Sequence, residues 1–152
     1  MEIALFQPDI AGNVGTILRT AACFGVSAHI VEPCGFPFSD TALKRAGMDY
    51  AVRANVRRHA DWAAFEGWRA AAAKRLVLLT TAGATPLPDF DFDQGDLLLF
   101  GSESAGVPPP VHAAAAARVA IPMQPGFRSL NVAVAAGIAL AEALRQTKGF
   151  AA

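Results

Sequence analysis

The chain has 152 residues, 53% of them hydrophobic and 17% charged, with a formal net charge of zero. This length suits a single domain with a substantial core, and the composition excludes a disordered chain. A globally basic nucleic-acid binder is excluded as well, so any contact with RNA must come from a local patch.

The opening residues, MEIALFQPDI, carry no basic n-region and only a short apolar run. Residues 2–6 therefore read as a first strand and not as a signal peptide. Residues 13–24 place Val14, Ile17, Leu18, Ala21 and Ala22 at helical spacing, with Asn13 as the expected N-cap and Gly25 as the expected C′ residue. A second strand is predicted over 28–32, stopped by Pro33, then a short helix around 40–46 and a strand around 51–56. Residues 60–73 form an amphipathic helix with Trp62, Phe65 and Trp68 on one face. Buried strands are predicted over 75–81 and 96–101, with a Pro-, Gly- and Asp-rich surface excursion at 83–95 between them. A last strand at 118–122 leads to the longest helix, 129–147, with Ser129 as its expected N-cap.

Apolar strands alternating with helices predict an α/β fold, a parallel sheet covered by helices on both faces, in a single domain over 1–152. No segment holds the roughly 20 uninterrupted apolar residues of a spanning helix, and a cytoplasmic location is expected. Cys23, in an apolar helical stretch, reads as packing, and neither it nor Cys34 has a CxxC partner. His29, His59 and His112 show no ligand spacing, so no metal is expected.

Charge is unevenly distributed. Lys44, Arg45, Arg53, Arg57 and Arg58 stand against Asp49 alone, a balance of +4 over residues 44–58. Such a stretch suits phosphate, though composition alone favours a solvated face.

Three glycine-bearing turns follow strands, where parallel sheets usually bind ligands. They are QPDIAGNVGTILR over 7–19, FGSESAGVP over 100–108 and IPMQPGFRSLNV over 121–132. Taken singly, the first reads more readily as a capped helix with a surface arginine, the second as readily as a tight turn as a ligand site, and the third as readily as a capping motif alone.

Together, in order and spacing, the three turns resemble the motifs of the SpoU branch of the SPOUT methyltransferases. They are most similar to the small single-domain group that 2′-O-methylates the wobble nucleotide of tRNA. The first motif is met by Asn13, Gly15 or Thr16, Ile17 and Arg19, with the glycine one place early. Gly101, Glu103 and Gly106 meet the second, and Ile121, Pro122, Met123, Arg128, Ser129 and Asn131 the third. EPCGFPFSD and LKRAGMDY are also similar to that group, while Val132–Val134 is wholly apolar where relatives can carry a further serine or asparagine.

The resemblance implies a C-terminal deep trefoil knot, S-adenosylmethionine as cofactor, and methylation of the ribose of tRNA nucleotide 34, cytidine or modified uridine. It implies a cofactor pocket lined by Leu79, Gly101, Ile121 and Ser129. It assigns catalysis to Arg19, with Ser129 and Asn131 holding the geometry. An arginine pKa above about 12 makes Arg19 a better orienting group than general base. RNA contacts are implied for Asn13, Lys44, Arg45, Arg57 and Arg58. A homodimer is expected from the apolar face of the last helix, Leu130, Val134, Ile138, Leu140 and Leu144, together with the first-motif helix. Open alternatives are another tRNA position, ribosomal RNA, or a non-catalytic RNA-binding module. A Rossmann-type nucleotide enzyme is disfavoured by the missing glycine fingerprint.

Overall fold

The structure is a computed structural model and describes residues 1–39, 41–42, 54–82 and 85–151. In chain order the elements are β1 (Glu2–Phe6), α1 (Ala11–Cys23), β2 (Ser27–Val31), β3 (Val56–His59), α2 (Trp62–Ala71), β4 (Leu76–Leu79) and β5 (Thr85–Pro86). They continue with a 3-10 turn (Leu87–Asp89), β6 (Leu97–Phe100), α3 (Pro109–Ala114), β7 (Ala117–Ala120) and α4 (Val132–Thr147). The strands form one seven-stranded sheet in the order β3-β2-β1-β6-β4-β7-β5, and every pairing is parallel.

Alternation along the strands splits the core into two layers. Ile3, Leu5, Val77, Leu79, Leu98 and Phe100 face α1 and α4. Ala4, Phe6, Leu76, Leu78, Leu97 and Leu99 face Phe65 of α2 and Val111 of α3. The central strands are fully buried because both faces are covered, which is why they read as unbroken apolar runs. Truncating Leu99, which has 0% exposure, to alanine would cost about 2–5 kcal/mol.

Helix α1 ends in a Schellman motif. The Val26 amide donates to the Ala21 carbonyl at 2.9 Å and the Gly25 amide to the Ala22 carbonyl at 3.2 Å. Gly25 takes φ +66°, as its place in the sequence predicts.

Several expectations are corrected. Asn13 lies inside α1, whose N-cap is Ile10 with no side-chain bond. The N-cap of α4 is Asn131 and not Ser129, with its Oδ1 accepting from the amides of Ala133 and Val134 at 2.8 and 3.3 Å. The strand expected at 51–56 begins at Val56, while its first residues, like most of the helix expected at 40–46, lie outside the described residues. Helix α3 has no counterpart among the expected elements; it opens on two prolines, and proline is well suited to the first helical position. Cys23 is exposed, not packed, since it falls on the solvent side of the last turn of α1. Leu140 and Leu144 are buried against the sheet and do not belong to an exposed apolar face.

Candidate active site

Strand order reverses direction between β1 and β6: from β1 the chain winds outward to β2 and β3, and β4, β7 and β5 lie on the other side of β6. The crevice outside the carboxyl ends of strands at such a switch is where open parallel sheets bind ligands. A cavity of about 580 Å³ lies there, within the range of small-molecule sites. Its apolar walls are Leu78, Leu79, Val119 and Ile121, and its polar rim comes from the turns after β1, β4, β6 and β7.

The glycines of the second turn serve the turn itself. A Cβ on Gly101 would stand 2.6 Å from the carbonyl carbon of Gly106, because Ser102 and Gly106 exchange two backbone hydrogen bonds of 3.0 and 2.9 Å. Gly106 has φ +64°, which L side chains rarely adopt. The loop can therefore fold back tightly and present Glu103 towards the first turn.

Glu103 is the centre of a hydrogen-bond chain joining all three turns. Its Oε2 accepts from the Asp9 amide at 2.8 Å and its Oε1 from Asn13 Nδ2 at 3.1 Å. Asn13 Oδ1 accepts in turn from Asn131 Nδ2 at 3.0 Å. The orientation is set from one end: Asn131 Oδ1 is held by two backbone amides, so its amide nitrogen must point at Asn13. Asn13 must then offer its oxygen to Asn131 and its nitrogen to Glu103, since no other assignment pairs every donor with an acceptor. Asp9 closes the first turn on the second, accepting from the Ser104 amide at 2.9 Å and from its hydroxyl. Those bonds hold the Asp9 carboxyl below its usual pKa.

The structure brings Leu79, Gly101, Ile121, Ser129, Asn131 and Asn13 together on this one cavity. It does not bring in Arg19, which sits six residues beyond Asn13 on the exposed side of α1. Sequence reasoning placed Glu103 in the second motif without giving it a role. A carboxylate in a turn bounded by two glycines was its one available signal.

The basic stretch is divided. Lys44, Arg45 and Arg53 lie outside the described residues. Arg57 and Arg58 are adjacent on β3, so the strand sends them to opposite faces. The Arg57 guanidinium lies 5.3 Å from the Trp68 ring centre. Arg58 lies 4.8 Å from the Phe38 ring centre and donates through Nε to Glu32 at 3.1 Å. On the Arg57 side, His29 and His59 are buried, their Nδ1 and Nε2 atoms 3.0 Å apart. His29 Nε2 is 2.8 Å from Glu2 Oε2, and Trp68 stacks on His29 at 4.2 Å. Burial pushes both imidazoles down, His59 to about 4, with the charges of His29 and Arg57 adding to the effect on His59. Burial would raise the Glu2 pKa, yet hydrogen bonds from Lys74 and His29 carry it below its ordinary value. Among the described residues, no group of His, Cys, Asp or Glu side chains is placed to hold a metal ion, and no helix is long and apolar enough to cross a membrane.

Residues 1–141 match the SpoU rRNA Methylase family. The chain belongs to that family. Two relatives, from Ancylobacter novellus and Beijerinckia indica, carry the name tRNA (cytidine(34)-2′-O)-methyltransferase. The first is 56% identical over 99% of this chain and 96% of its own length; the second is 54% identical over 98% and 93%. A solved structure concerned with 2′-hydroxyl methylation of C/U34 on tRNA superposes with a TM-score of 0.90 at 41% identity, covering 97% of this chain and 96% of that one. The SpoU methyltransferase AviRb from Streptomyces viridochromogenes, in complex with S-adenosylmethionine, superposes with a TM-score of 0.87 at 28% identity. This chain covers 57% of AviRb and is itself covered to 96%. The α/β fold and parallel sheet expected from the sequence are those of the SpoU family.

Proposed function

We propose that this SpoU-family protein is a cytoplasmic tRNA methyltransferase that transfers a methyl group from S-adenosylmethionine to the ribose 2′-hydroxyl of nucleotide 34. One observation carries the reading: the three turns bearing the family's motif residues converge on a single cavity at the sheet's switch point, bound together through Glu103. The apolar walls suit a flat adenine, and the polar rim suits the charged end of the cofactor. S-adenosylmethionine supplies the methyl group as a sulfonium. Leu79, Gly101, Ile121 and Ser129 would hold it, in a C-terminal segment that we propose is threaded as a deep trefoil knot.

The protein's own part is alignment and removal of the hydroxyl proton. Asn131 and Ser129 stand at the cavity rim, and the wiring from Asn131 through Asn13 to Glu103 fixes the setting of Asn131. Arg19, exposed on α1, orients the 2′-hydroxyl and an adjacent phosphate of bound tRNA. Asn13, Lys44, Arg45, Arg57 and Arg58 contribute contacts to RNA. The protein acts as a homodimer. Its interface is centred on the exposed stripe of Leu130, Val134 and Ile138, with Ile10 beside the start of α1.

Incubating the protein with unmodified tRNA and labelled S-adenosylmethionine, then mapping ribose methylation by mass spectrometry, tests the function. Methylation at position 34 is expected. Methylation only at another nucleotide, or only of ribosomal RNA, would move the activity elsewhere, and none at all would leave an RNA-binding module. A monomeric mass by light scattering at micromolar concentration would remove the dimer.

A further inference from the structure

Phe127 is the most exposed large hydrophobic residue described, with 74% of its surface open to water. It is held there by construction. Gln124-Pro125-Gly126-Phe127 has proline and glycine at the two central positions of a type II turn. Gly126 takes φ +94°, and the Phe127 amide donates to the Gln124 carbonyl at 3.4 Å. Proline fixes one corner of the turn and glycine alone accepts the other, so the ring is presented by a stiff loop. The next two residues, Arg128 and Ser129, line the cavity described above. An aromatic ring and a guanidinium thus stand consecutively at the mouth of the site. Single-stranded RNA is commonly gripped by this pairing: aromatic faces stack unpaired bases while arginine meets phosphate.

We infer that Phe127 is a stacking platform for a nucleobase flanking the ribose that is methylated, with Arg128 holding the adjoining phosphate. The inference rests on the RNA-methylation reading. It adds that substrate selection includes an unpaired base on the rim, since a base within a duplex has no free face for the ring. A base is favoured over a second copy of the chain because the ring is followed directly by the guanidinium of Arg128 at the cavity, a pairing that suits a nucleotide's base and phosphate, whereas the stripe assigned to the dimer, Leu130, Val134 and Ile138, is uncharged.

The test compares Phe127→Trp, Phe127→Leu and Phe127→Ala in the full chain. The probe is an anticodon stem-loop RNA carrying 2-aminopurine at the nucleotides flanking position 34. Tryptophan keeps an aromatic face, whereas leucine keeps apolar bulk and loses it. Binding of wild type and of Phe127→Trp should change the 2-aminopurine fluorescence. Phe127→Leu and Phe127→Ala should bind the RNA about tenfold or more weakly and lack that change. Affinity for S-adenosylhomocysteine and mass by light scattering should match wild type in all three. Wild-type affinity and fluorescence in the leucine variant would overturn the inference. So would a reduced mass in the alanine variant that leucine restores, because the ring would then cover a second copy. Wild type methylating tRNA while the Phe127 variants do so equally well would sink this inference alone; wild type failing to methylate any RNA would sink the functional reading first.

Discussion

The cavity end of the sheet and its β2–β3 edge use polar side chains in opposite ways. At the cavity, Asn13, Glu103 and Asn131 are half-buried or exposed, and their polarity is settled by which hydrogen bonds can coexist. At the edge, His29 and His59 are nearly dry, and their polarity is settled by burial. Both imidazoles, shifted downward by burial, therefore lie away from the cavity that gathers the motif residues. Perturbed titratable groups usually mark functional sites, yet here the shifted histidines serve packing at the sheet edge, and the shifted Asp9 at the cavity serves to tie two turns together. Methyl transfer from a sulfonium asks mainly for alignment, and amides held in one orientation supply alignment without a tuned pKa.

The largest expected effect lies with Arg19. Arg19→Ala should lower single-turnover methylation of tRNA by about 10²-fold, roughly 2.7 kcal/mol, while leaving cofactor affinity near wild type. Lysine should not restore it, because an ammonium cannot engage hydroxyl and phosphate as a planar fork. Near-normal turnover in a folded variant would confine catalysis to the cavity rim.

Glu103→Gln sharpens the contrast from the cavity side. Glutamine offers one oxygen where two donors, the Asp9 amide and Asn13 Nδ2, converge on two. An amide group facing a donor should misalign Asn13 and Asn131 and lower turnover about tenfold, with a melting temperature within a few degrees of wild type. Asn131→Asp is the companion variant: it keeps an acceptor for the helix cap but turns a carboxylate oxygen towards Asn13 Oδ1. If both variants turn over normally, the chain of bonds is structural and does not position the site.

The histidine pair makes the converse prediction. Their folded pKa values lie below the ordinary 6.5, so the unfolded chain binds more protons as the pH falls from 6.5 towards 4. Stability from this source is fully present above pH 6.5 and is lost on acidification. For His59, whose imidazole is pushed down to about 4, the slope approaches at most about 1.4 kcal/mol per pH unit, and His29 adds to it in the same direction. Thermal unfolding followed between pH 7.5 and 4.5 should show the loss, and His59→Phe should flatten it. A pH-independent melting temperature over that range would contradict the burial argument.

The smallest effect is expected at β3. Arg57→Ala and Arg58→Ala should each reduce the salt dependence of tRNA binding by about one counterion, without altering single-turnover rates. Their effects should be independent, since the two side chains point to opposite faces of the sheet. Unchanged affinity in the double variant would return them to a solvated edge, with Arg58 held by Glu32 and Phe38.

The sequence alone determined the alternation of strands and helices, the sheet buried on both faces, and the three turns where ligand chemistry belongs. Those features are written locally, in runs such as LLLF at 97–100, in helical spacing over 14–21 and in glycines that only certain turns need. The roles of the polar residues were decided by tertiary structure. Ser129 looked like the cap of the last helix, and Asn131 caps it. Asn13 looked like a cap and is the middle of a bond chain reaching Asn131, 118 residues away, and Glu103, 90 residues away. Arg57 and Arg58 read as one patch until the pleat of β3 separated them. Periodicity and turn chemistry depend on near neighbours in the chain. The partner of an amide, a carboxylate or a guanidinium is whatever the fold places within about 3 Å of it.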